Sequence, residues 1–127
     1  MSDEARTPSR AFPKARRLTR SSEFLRVRME GKAQRGGLLV LGLLERDKPE
    51  PFRAGFVTSR RVGGAVVRNR LRRRLREIVR RHQHEVRAGL WMVVIARPAA
   101  ADSTHRALED EWLRLAKRAF ILAPTCS

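Results

Sequence analysis

The apolar positions change their period along the chain, and each change marks an element. Phe24, Leu25 and Val27 follow Ser21 and Ser22, two candidate caps, and precede Gly31, so a short helix is predicted to end before that glycine. Leu38 to Leu44 and Arg53 to Ser59 are β-prone runs separated by the polar loop Glu45 to Pro51, which carries two prolines. They predict two strands paired as an antiparallel hairpin. Lys32 to Arg35, ahead of the Gly36-Gly37 pair, is a shorter strand candidate. From about Val66 to Gln83 the period becomes helical. At about 100° per residue, Val67, Leu71, Leu75, Ile78, Val79 and His82 gather within about a third of the circumference. Beyond Gly89, Trp91 to Ala96 is an unbroken apolar run, the pattern of a central strand covered on both faces, and Pro98 closes it. A last helix from about Ser103 to Ala119, capped by Asp102 or Ser103, places Leu108, Trp112, Leu115 and Ala119 on one face.

The resulting order is α-β-β-β-α-β-α, with the shorter strand included, which predicts an α+β two-layer sandwich. One domain is expected over residues 15–120. Residues 1–14 combine charged residues, serines and two prolines and read as a mobile arm, and 121–127 as a short tail.

Charge changes the picture more than hydropathy does. The chain has 29 basic residues against 13 acidic and a formal net charge of +16, a self-repulsion best relieved by a polyanion. Twenty-five of the basic residues are arginine, whose fork suits phosphates and base edges, although a GC-rich genome would also enrich arginine. Placement is therefore the stronger signal. The single cysteine, Cys126, allows no intrachain disulfide and points to a reducing compartment. The apolar runs fall short of the roughly 20 residues of a membrane span, and the start of the chain has no signal-peptide core, so a soluble cytoplasmic protein is expected.

The charge concentrates around the central helix. From Arg60 to Arg81 there are ten arginines and one acid, Glu77, giving +9 in 22 residues. Glu77 can pair with Arg73 or Arg81, which leaves the other arginines repelling one another. A merely solvated face would be balanced by acids at helical spacing. A membrane-surface helix would expose an apolar face carrying Trp or Phe, whereas this face is aliphatic and suited to a core. Composition leaves DNA and RNA both open.

The stretch from Gly55 to Glu77 resembles the signature of the ribonuclease P protein family, with Arg68-Asn69-Arg70 matching the family's Arg-Asn-Arg motif after a strand that ends in a basic pair. The similarity extends over about residues 11–119, through Ala11-Phe12-Pro13, Ser22-Glu23-Phe24 and Val93 to Arg97. This resemblance implies a four-stranded sheet with a left-handed β-α-β crossover, where the general rule favours the right hand. It also implies that the protein supports a large catalytic RNA. That RNA performs Mg²⁺-dependent hydrolysis removing the 5′ leader of precursor tRNA, so the holoenzyme is an endoribonuclease and no catalytic residue falls on the protein. The composition agrees, since His82, His84 and His105 form no triad with a nucleophile and no carboxylates or cysteines show metal-ligand spacing.

Carried over by resemblance, the RNA contacts are Arg60, Arg61, Arg68, Asn69, Arg70, Arg72, Arg73 and Arg76, with Asn69 equally able to act as a local brace. A cleft for the single-stranded leader is implied between the first helix and the sheet, with Phe12 and Phe24 as stacking platforms. Phe24 could instead pack in the core. Two positions depart from the family pattern. Arg28 stands where the family has an aromatic one turn after Phe24, and Gly42 where the second strand can carry one, so a more electrostatic grip on the leader is expected. No obligate protein partner and no membrane are implied, and a ribosomal or general RNA-chaperone protein is the alternative.

Overall fold

The computed structural model describes residues 16–122. The predicted arm over 1–14, with Phe12, and the cysteine Cys126 lie outside them. Among the described residues three α-helices and four strands follow in the order α1 (Ser21–Glu30), β1 (Lys32–Arg35), β2 (Leu39–Glu45), β3 (Arg53–Thr58), α2 (Ala65–Arg81), β4 (Leu90–Ala96) and α3 (His105–Arg118). The strands form one mixed sheet in the order β1-β2-β4-β3.

The expected hairpin of β2 with β3 does not form. β2 pairs antiparallel with both β1 and β4, while β3 pairs parallel with β4, which therefore separates β2 from β3. The reason lies in β4 itself, where six of seven residues are buried and neither face can be left to water. Such a strand takes the centre, and the less completely buried β2 and β3 take its flanks. The connection from β2 to β3 then has to cross the end of β4. It does so over residues 46–52, and the buried Phe52 pins it.

Alternation along the strands sorts side chains between two faces. Leu39, Leu41, Leu43, Ala54, Met92 and Val94 join the main core beneath α2 and α3, where Leu71, Leu75, Ile78, Leu108, Trp112 and Leu115 meet them. The opposite face carries Trp91 and Val93, covered by Leu18 and Val27. Helix α1 lies over that second face and shields only part of it. Three glycines make the close approach of α1 possible. A Cβ at Gly31 would stand 2.1 Å from the Leu43 carbonyl oxygen, one at Gly42 3.3 Å from Val27, and one at Gly55 2.4 Å from the Phe24 ring.

Helix caps differ from the expectation. Arg20, not Ser21 or Ser22, is the N-cap of α1, and the Glu23 carboxylate reaches back to accept from the Thr19 and Arg20 amides at 3.0 and 3.1 Å. Thr104, not Asp102 or Ser103, caps α3, its hydroxyl accepting from the Ala107 amide at 3.0 Å. Residues Pro98–Asp102 form a 3-10 turn with Ala100 buried, which displaces the helix start toward the threonine. Packing continues past residue 120: Ile121 is buried, and Leu122 forms a bridge with Val86.

Candidate nucleic-acid interface

Helix α2 buries Leu71, Leu75, Ile78 and Val79, with Val67 and His82 at the margin of the core, so the predicted inner face is the observed one. Its acid pairs elsewhere than expected. Arg80, three residues on, takes the Glu77 carboxylate with two nitrogens at 2.6 and 3.0 Å, and Arg81 turns instead to Glu109 of α3 at 3.5 Å. The Arg80 guanidinium holds the Glu77 carboxyl below the usual carboxylate range, an effect larger than the opposing one of burial. Charge is thus neutralised at the C-terminal end of the helix. Among the described residues, Arg60, Arg61, Arg70, Arg73 and Arg74 have no ion pair, and four of these five are exposed.

Two contacts organise the arginine-rich half. Arg72 donates to the buried Thr58 hydroxyl at the end of β3, at 2.9 Å, and to the Asn69 side-chain oxygen. Asn69 therefore acts as a brace within α2, leaving its amide nitrogen free of that contact, and Arg72 is half-buried as the link between motif and sheet. The Arg76 guanidinium is lowered in pKa by burial first, then by repulsion from Arg17, Arg72 and Arg73, so four guanidinium groups share one region. Arg68 is half-buried, and its Nε–H meets no acceptor among the described residues. The turn into the helix needs Gly63, whose φ of 152° and 3.1 Å approach to Val67 both oppose a side chain.

The second surface is a groove of about 790 Å³ between α1 and the part of the sheet that α1 leaves open. Its floor is aliphatic, made by Val40, Val57, Val93 and Ile95, and Phe24, Leu25 and Arg28 form its helical wall. Lys32 and Arg35 stand along the β1 side. Phe24 both lines the groove and packs against the second core cluster, its ring lying over Gly55. Gly42 lies in the floor beneath Val27, where α1 comes closest to β2.

A basic helix alone could serve several polyanions, and the comparisons separate them. The family model for ribonuclease P matches residues 12–120. The ribonuclease P protein component of Acidothermus cellulolyticus is 45% identical over 109 residues, covering 84% of this chain and 90% of that protein. That of Beutenbergia cavernae is 42% identical over 100 residues, covering 79% and 84%. The chain belongs to the ribonuclease P protein family. Among solved structures, the Staphylococcus aureus RNase P protein superposes with a TM-score of 0.79 at 27% identity, covering 85% of this chain and 98% of that one. The Thermotoga maritima RNase P protein gives 0.72 at 30% identity, covering 80% and 96%.

Within this ribonuclease P protein fold, Arg60 and Arg61 occupy the 3-10 turn Arg60–Val62 ahead of α2, and Arg68, Asn69, Arg70, Arg72, Arg73 and Arg76 all lie on α2. Phe24 and Arg28 share the groove across the sheet. The sheet thus separates two basic surfaces. Sequence reasoning missed Thr58 as the anchor for Arg72, Arg17 as a member of the arginine cluster, and Lys32 and Arg35 as groove residues. Alternation in β1 and β2 carries a signal for the groove, but only the strand order says which face is open. No helix among the described residues is long and apolar enough to cross a membrane.

Proposed function

We propose that this ribonuclease P protein component binds the catalytic RNA of its holoenzyme through the N-terminal half of α2 and holds the 5′ leader of precursor tRNA in the groove between α1 and the sheet. The observation that carries the first assignment is the split of charge along α2, where the arginines around Arg68-Asn69-Arg70 have no ion pair among the described residues while Arg80 and Arg81, after Glu77, do. Guanidinium forks on Arg60, Arg61, Arg70 and Arg73 are exposed and available to phosphates, while Arg72 and Asn69 keep the motif rigid against β3. For the leader, the groove supplies an apolar floor for unstacked bases and three cations, Arg28, Lys32 and Arg35, for its phosphates.

In this reading hydrolysis belongs to the RNA, with Mg²⁺ bound mainly there. Among the described residues no group of three or more His, Cys, Asp or Glu is placed to hold a metal ion. Glu77 of α2 and Glu109 of α3 are instead taken up by Arg80, Arg81 and His82. The protein contributes affinity and position, and tRNA 5′ maturation is the activity of the assembly.

Reconstitution tests the proposal. Mixed with a bacterial ribonuclease P RNA, the chain is expected to restore cleavage of precursor tRNA at Mg²⁺ concentrations where the RNA alone is slow. An unchanged rate would overturn the reading and leave a ribosomal or chaperone role, and cleavage by the protein without RNA would move the chemistry onto the chain.

A further inference from the structure

Helix α3 ends in a turn whose chemistry does not match its residue. Ala119 is the C-cap, the Phe120 amide donates to the Lys117 carbonyl at 3.1 Å, and the Ile121 amide donates to the Ala116 carbonyl at 3.2 Å. This is the two-bond helix stop in which the residue after the cap turns left-handed, a place that favours glycine. Here it is Phe120, at φ 59°, the one non-glycine residue with positive φ among those described. Its side chain gains little from burial, being 80% exposed. A bulky residue in this conformation costs stability, and an exposed ring returns almost none of it.

The ring is held in place by its backbone. The Arg87 Nε–H donates to the Phe120 carbonyl at 2.8 Å, Arg87 also meets Glu45 at 3.1 Å, and the next carbonyl, of Ile121, accepts from the Arg87 amide at 2.8 Å. Phe120 borders a second groove, of about 620 Å³, together with Arg118, Arg87 and Lys32. Of these, Lys32 and Arg118 have no ion pair among the described residues. The two grooves meet, since Gly31, Lys32 and Ala33 at the end of α1 and along the outer edge of β1 line both.

We infer that this second groove is a further binding site for single-stranded RNA, in which the leader passes round the β1 edge and a base stacks on Phe120 while Lys32 and Arg118 meet its phosphates. The inference rests on the first groove holding the leader. An aromatic ring flanked by cations on a fixed backbone is what single strands use without regard to sequence, and continuity with the first groove names the strand.

The test uses the reconstituted holoenzyme and a series of precursor tRNAs whose leaders lengthen one nucleotide at a time. Wild-type protein is expected to gain affinity in two stages as the leader fills first one groove and then the other. With Phe120→Ala the affinity difference between long and short leaders closes by about fivefold or more, whereas Phe120→Trp retains it. Phe120→Gly is expected to lose the same affinity while raising the melting temperature of the protein. A Phe120→Ala holoenzyme that keeps the wild-type dependence at every leader length overturns the inference, as does a fall in melting temperature with glycine, which would make the ring a stabilising element. If wild-type protein shows no dependence on leader length at all, the first groove fails as well, so the two failures are distinguishable.

Discussion

Arg73→Ala and Arg80→Ala differ in what they remove from α2 although they are alike in charge. The two residues stand seven apart, nearly two full turns, so they share one stripe of the helix. Each substitution lowers the net charge from +16 by one, and long-range attraction to RNA falls equally. Arg73, however, is exposed with no acid beside it, whereas Arg80 is bound to Glu77 at 2.6 and 3.0 Å. A phosphate contact by Arg73 contributes about 0.7 to 0.9 to the slope of log affinity against log salt. Between about 50 and 200 mM salt, that slope makes the Arg73→Ala penalty about threefold larger at the low end than at the high end. Arg80→Ala is expected to leave the slope at its wild-type value. Binding of the protein to labelled ribonuclease P RNA across a KCl series measures both. Equal slopes in the two variants, or a larger loss with Arg80→Ala, would refute the division of α2 into a binding half and a neutralised half.

Other perturbations test the support beneath the two surfaces. Burial raises the Glu23 carboxyl, but the Arg20 and Thr19 amides and the Arg53 guanidinium outweigh it and hold the group below its ordinary value. A depressed carboxylate contributes stability above its unfolded pKa and loses it as pH falls through the folded one. Glu23→Gln should therefore flatten the acid limb of stability against pH in thermal melts, and an unaltered limb would exclude Glu23 as its source. Glu111 is 5% exposed and accepts from the Leu38 and Leu39 amides at 2.7 Å each. Removing it in Glu111→Ala strands two donors beneath α3 and is expected to cost about 3 kcal/mol in urea unfolding, and a loss under about 1 kcal/mol would mean that water replaces the carboxylate. Gly55→Ala drives a Cβ into the Phe24 ring, so a loss of about 1 to 3 kcal/mol is expected together with weaker leader binding. Leader affinity unchanged in a folded Gly55→Ala protein would place Phe24 outside the binding surface.

Much of this molecule was legible along the chain because it depends on local chemistry. The aliphatic stripe of α2, the unbroken run of β4 and the short strand before Gly36-Gly37 all follow from period and composition, and the excess of arginine pointed to a polyanion before any folding was considered. Local chemistry also misled. Ser21, Ser22, Asp102 and Ser103 are good caps by type, yet Glu23 and Thr104 sit where the orphan amides are. What only the tertiary structure decided is which segments become neighbours. β2 and β3 looked like a hairpin because pairing was read from adjacency in sequence, but β4 needs cover on both sides and takes the place between them. That insertion fixes which sheet face lies open beside α1, and so brings Phe24, Arg28, Lys32 and Ile95 into one groove. Likewise helical spacing puts Arg73, Arg74, Arg80 and Arg81 all within reach of Glu77; it pairs with Arg80, while Glu109 of α3 draws Arg81 away. Sequence sets the charge and the period, while burial across the sheet sets which charges remain free to bind.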